Sequence, residues 1–260
     1  MKTKKPFVIL VVSSLFFLAC QSVATAVPTS VPTAVSTATS VPPTNTSVPT
    51  NTALPTETPK PTNTPLPAGV LFRDDFNGEL QPGWEWQNEN PDKWTLTDDG
   101  WLQIIGEYNS LLGENNQNNL LWYILPAGDF VITAHLKTKP FENFHQATIY
   151  IYEDAENYVA INRGFCDLCS TGGDGFYMEY KISGQWGSYN AATNAEDVYL
   201  KLESADNTIS GYYATEPDNW VRLGRFGNYF QFKKVGIGVT NVRASNDVVG
   251  LFDYFEISLP

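Results

Sequence analysis

Residues 146–154 read QATIYIYED, and the same pattern returns in NYVAINRG at 157–164 and FYMEYKIS at 176–183. In the first stretch Ala147, Ile149 and Ile151 alternate with Gln146, Thr148, Tyr150 and Tyr152; in the second Val159 and Ile161 alternate with Tyr158, Ala160 and Asn162. In the third Phe176, Met178, Tyr180 and Ile182 alternate with Tyr177, Glu179, Lys181 and Ser183. Successive side chains of a β-strand point to opposite faces, so a period of two predicts half-buried antiparallel strands.

Outward from these three, DFVITAHLK, VYLKLES, TISGYYATE, VGIGVT and LFDYFEISL are further strand candidates, separated by turn signals such as DDG, ADN and EPDN. No stretch is long and helically periodic enough to predict a helix. Many short strands with frequent turns predict an all-β, two-sheet antiparallel β-sandwich over residues 69–260.

The faces opposite the apolar ones share a composition. Gln146, Thr148, Tyr150, Tyr158, Asn162, Tyr177, Glu179 and Lys181 place flat rings beside hydrogen-bonding groups. A pyranose offers an apolar C–H face to a ring and hydroxyls to amides and carboxylates, so this surface is a candidate sugar platform. The plainer alternative is a solvated sheet face on which Tyr and Thr serve strand propensity.

Residues 69–260 hold all seven tryptophans and all thirteen tyrosines, with twelve basic and 27 acidic side chains for a formal charge of −15. That charge repels nucleic acid and anionic lipid and suits neutral ligands or a bound cation. Residues 20–68 contain no aromatic side chain and repeat Val-Pro-Thr and Thr-Pro units, so they predict a disordered, extended stalk.

The chain starts MKTKKPFVILVVSSLFFLAC, a basic segment followed by an apolar run too short to span a bilayer comfortably. Its last residues, FLAC, resemble the lipobox of bacterial lipoproteins, with Phe17 in place of the usual Leu. The resemblance implies a signal peptide over 1–19, cleavage before Cys20 and lipid attachment to that residue. The mature protein would then be a lipoprotein held at a membrane without spanning it; the alternative is plain export with Cys20 incidental.

Cys166 and Cys169 stand in GFCDLCSTGGDG without a second Cys/His pair, and the chain has only two histidines, His135 and His145. In an exported protein this favours a small disulfide over zinc, with free thiols or intermolecular pairing as the alternatives. The Glu-x-Asp-x-x-Glu strand motif of β-sandwich glucanases is missing, as are Gly-x-Ser-x-Gly and His-Glu-x-x-His. No catalytic residue is assigned, although a glycoside hydrolase with a non-standard carboxylate pair stays open as an alternative function.

Five segments in order, DDFNGELQPGWEWQNENPDKWTLTDDGWLQI, LLWYILPAGDFVITAHL, QATIYIYEDAENYVAINRG, VYLKLESADNTISGYYATEPDNWVRLG and VGIGVTN with FDYFEI, resemble the concanavalin A-like domain at the C-terminus of bacterial β-xylosidases. The resemblance implies stacked curved sheets and recognition of a polysaccharide or oligosaccharide without chemistry. It requires no cofactor, although structural calcium in the wider fold makes Asp75 and Asp253 candidate metal ligands; plain surface carboxylates are the alternative.

The ligand-binding candidates are Trp86, Tyr150, Asn162, Tyr177, Glu179 and Trp186, the last in what reads as a Gly- and Ser-flanked loop. Trp94 is expected to point inward as an anchor and Trp86 to face a ligand. A structural or adhesion role through protein contacts is the third reading. Mass spectrometry of the membrane fraction should find lipid on Cys20, and Cys20→Ser should release the protein from that fraction.

Overall fold

The computed structural model describes residues 66–108, 117–125, 127–228, 230–242 and 245–260. Residues 1–65, which include the segment expected to be a signal peptide, Cys20 and most of the expected stalk, lie outside the described residues. The rest forms two antiparallel sheets. One has seven strands: β10 (Gln185–Ala192), β9 (Gly173–Ile182), β8 (Asn157–Cys166), β7 (His145–Asp154), β14 (Lys234–Asn241), β5 (Leu120–Ile124) and β2 (Trp84–Gln87), in that spatial order.

The other has eight strands. β13 (Val221–Gly227), β12 (Thr208–Ala214), β11 (Asp197–Ala205), β6 (Phe130–Thr138), β15 (Val248–Ser258), β4 (Leu102–Gly106) and β3 (Trp94–Leu96) follow one another, and β1 (Val70–Asp74) pairs with the far end of β15. A 3₁₀ turn at Pro91–Lys93 is the one helical element among the described residues. The all-β sandwich expected from the period-two stretches is what the chain forms.

The alternation predicts the core. Ala147, Ile149, Ile151, Val159, Ile161, Phe176 and Met178 are buried there against Ile132, Leu136, Leu200 and Phe255 of the opposing sheet. Stacked sheets lie about 10 Å apart, so one layer of side chains from each fills the space. Arg163 shares the inward parity and is 1% exposed. Its guanidinium donates to the Ala195 and Gly164 carbonyls at 2.7 and 2.8 Å and pairs with Asp174 at 2.6 Å.

The tryptophan-rich segment after β1 folds around a buried carboxylate. Asp74 accepts from the Phe76 and Gln81 backbone N–H groups and from Trp84 Nε1, each at 2.8 Å. Burial, which outweighs these donors, raises its pKa. The corner holds Phe76 at φ +52°, a left-handed conformation that costs roughly 1 kcal/mol in a residue with a side chain. Trp84 then packs edge-on against Phe72 at 5.3 Å and near Phe255 at 5.1 Å.

Trp94 packs at the core as expected, but Trp86 packs there too. It shares Trp84's parity, stands opposite Leu121 and lies 4.7 Å from the Trp94 ring. Trp86 therefore does not face a ligand on the outer surface; its place is set by the same alternation that turns Glu85 and Gln87 outward.

At the free edges, β10 and β13 meet across the sandwich. The Tyr189 ring lies so close to Gly224 that a Cβ there would come within 2.3 Å of it, and its hydroxyl donates to the Arg225 carbonyl at 3.0 Å. On β15 the register against β6 shifts at Asp253. This bulge aims the Asp253 carboxylate at His135 Nδ1, 2.7 Å away.

Asp74→Ala removes a charged acceptor from three donors at once. Its unfolding free energy in urea should fall by about 3 kcal/mol.

Candidate functional site

The outward residues of the seven-stranded sheet align in rows set by the register. Gly236, Tyr150, Ala160, Glu179 and Ser188 form one, with Trp122 at its β5 end. Gly238, Thr148, Asn162, Tyr177 and Asn190 form the next, and Lys234, Tyr152, Tyr158, Lys181 and Trp186 flank the first on its other side. Tyr150, Asn162, Tyr177, Glu179 and Trp186 are thus brought to one face.

Glycine decides how this face is paved. A Cβ on Gly236 would fall 2.3 Å from the Leu121 carbonyl oxygen and 2.6 Å from the Trp122 ring, and one on Gly238 2.6 Å from Leu120 Cδ2. With those positions bare, Trp122 and Leu120 lie across β14 and join Tyr150, Tyr158 and Ala160 in a second apolar cluster outside the core. Trp122 is fixed by donating to Gln87 at 3.1 Å.

The packing changes the roles expected for two tyrosines. Tyr150 is only 3% exposed, and burial raises its pKa to about 12. Tyr177 is 4% exposed; its hydroxyl accepts from Thr171 at 2.5 Å and donates to the Gly173 carbonyl. Both therefore support the surface from below instead of presenting a bare ring. Sequence parity identifies the face on which a side chain stands, but not the neighbours that lean over it.

Trp186 is the open ring. It is 64% exposed, 5.7 Å edge-on from Tyr158, with Lys181 Nζ 5.5 Å from its centre. It sits on β10 and not in a loop, because Ser183 and Gly184, at φ +48° and +78°, make the two-residue turn of a β9–β10 hairpin. The Ser-Gly pair between strand-like stretches was the signal for this turn.

Near the middle of the face, Gln146 Nε2 and Asn162 Nδ2 donate to Glu179 Oε2 at 3.3 and 3.5 Å. Burial raises the Glu179 pKa and outweighs those two bonds. Its lateral partners in the register are Ala160 and Ser188, so no second carboxylate stands directly beside it among the described residues. Two residues that parity alone could not single out, Trp122 and Gln117, complete the surroundings, Gln117 donating to the Tyr150 hydroxyl at 3.3 Å.

At one end of the face, Cys166 and Cys169 form a disulfide. Their loop is tied to the sheet by Thr171, as above, and by Ser170 donating to Asn190 Oδ1 at 2.6 Å. The two candidate calcium ligands are placed differently. Asp75 pairs with Arg73 at 2.7 Å and Asp253 with the His135 ring. Among the described residues no three His, Cys, Asp or Glu side chains form a metal-holding group. Asp75 and Asp253 thus each serve another side chain in this structure.

Two stacked antiparallel sheets of seven and eight strands define a concanavalin A-like sandwich. A family model, the β-xylosidase C-terminal concanavalin A-like domain, matches residues 73–258, and the chain belongs to that family. Among solved structures the fold is similar to the GH43 BlXynB protein from Bacillus licheniformis, at 19% identity and a TM-score of 0.64 over 72% of this chain and 39% of that one. It is also similar to xylan β-1,4-xylosidase from Bacillus halodurans, at 19% identity and a TM-score of 0.61 over 78% and 41%.

The chain thus spans about two fifths of the length of these two proteins. A functionally unknown protein from Saccharomyces cerevisiae matches over 97% of its own length and 68% of this chain, at 12% identity and a TM-score of 0.51. No curated protein sequence matches.

A carboxyl whose pKa is raised by folding holds its proton more tightly in the folded state. Glu179 therefore costs no stability below the ordinary carboxylate range, and costs progressively more as pH rises through the window up to its folded value. Glu179→Gln should accordingly melt at a higher temperature than the parent at pH 8, with the gain shrinking as the pH is lowered to 4.

Proposed function

We propose that the chain is a non-catalytic carbohydrate-binding protein, held at a cell surface through lipid on Cys20 and a Pro/Thr-rich stalk. A polysaccharide or oligosaccharide would be taken on the outer face of the seven-stranded sheet. The observation that carries this reading is Trp186, a ring 64% exposed on the same face as Glu179, Asn162 and Gln146. Diagonal neighbours in a sheet lie roughly 7–8 Å apart, so one sugar chain can stack on the ring while its hydroxyls reach the polar row.

Family membership supports a carbohydrate-related role, and matched proteins bear the names xylosidase and xyloglucan PUL GH43B. Xylan is therefore the first polysaccharide to test. Affinity electrophoresis should show retention by at least one plant or microbial polysaccharide; absence of retention across a broad panel would sink the proposal. Trp186→Ala should weaken that retention roughly three- to tenfold, the loss of one stacking ring, with an unchanged melting temperature.

A further inference from the structure

In the middle of the outer face a carboxylate has only long hydrogen bonds. Glu179 is served by two amide nitrogens at 3.3 and 3.5 Å, both at or beyond the long end of the N–H···O range. No Lys, Arg or His side chain bonds it among the described residues, and Lys181, two positions along β9, is paired with Glu156 at 2.7 Å. Close by, Asn162 Oδ1 has no partner in hydrogen-bond geometry, though Asn162 is 0% exposed, while the Thr148 hydroxyl interacts with the Tyr150 side chain.

These groups are contiguous. Thr148 and Asn162 are register partners, and Asn162 Oδ1 belongs to the amide whose nitrogen meets Glu179. A half-buried carboxylate without a cation is costly, and so is an unmet buried oxygen. The missing complement is a positive group with several N–H donors. A primary ammonium has three donors and no acceptor, whereas a sugar hydroxyl has a single proton to give.

We propose that this face recognises an amino sugar, with its ammonium seated on Glu179 and Asn162 in place of the weakly held Gln146 amide. The proposal rests on the carbohydrate-binding reading and names the class of sugar. The formal charge of −15 on residues 69–260 acts in the same direction, attracting a polycationic glycan over distances that salt shortens.

The test is calorimetric titration of the whole chain with glucosamine oligosaccharides, their N-acetylated counterparts and xylo-oligosaccharides, at low and high salt. Glucosamine oligomers should bind about tenfold more tightly than the N-acetylated ones, as a charged hydrogen bond demands, and lose affinity with salt. Glu179→Gln, expected to fold at least as stably as the parent, should erase the difference while keeping residual sugar binding. Equal or better binding of the neutral sugars, or a preference surviving in Glu179→Gln, would overturn the amino-sugar inference alone. Failure to bind any sugar would overturn the carbohydrate reading and this one with it.

Discussion

The structure depends on the burial of one apolar layer from each sheet. Every second residue of β7, β8 and β9 must enter that layer, and the residues between them are then obliged to stand outside. A slip of one residue would send Glu179, Asn162 and Thr148 into the core and Ile149, Ile161 and Met178 into water. The hydrophobic effect therefore fixes the composition of the outer face without any contact being made there.

This is also why so much was legible in the sequence. QATIYIYED, NYVAINRG and FYMEYKIS contain the alternation, and the alternation gives strands, a sandwich and the membership of the outer row. Trp86 follows the same rule, against the outward position expected for it. Its parity with Trp84 already placed it inward, where it stacks on Trp94, and the polar neighbours of the segment obscured that.

Other features depend on contacts that spacing does not encode. Tyr150 and Tyr177 stand on the outer face, yet their burial follows from packing and from hydrogen bonds to Gln117 and to the Thr171 and Gly173 loop. Gly236 and Gly238, which let Trp122 lie across β14, are visible in VGIGVT only once the register with β5 is known. Asp253 meets His135 through a bulge, and an irregularity of pairing has no periodic signal. The pairings of Asp75 with Arg73 and of Asp253 with His135 likewise follow from contacts that spacing does not encode.

The Tyr189 latch acts at the edges of the two sheets. An outermost strand offers unpaired backbone groups to any neighbouring chain, and β10 and β13 are the outermost strands at one end of the two sheets. The latch engages the Arg225 carbonyl and ties the two rims to each other. A ring resting on a glycine thus joins the two sheets at one end without a covalent link.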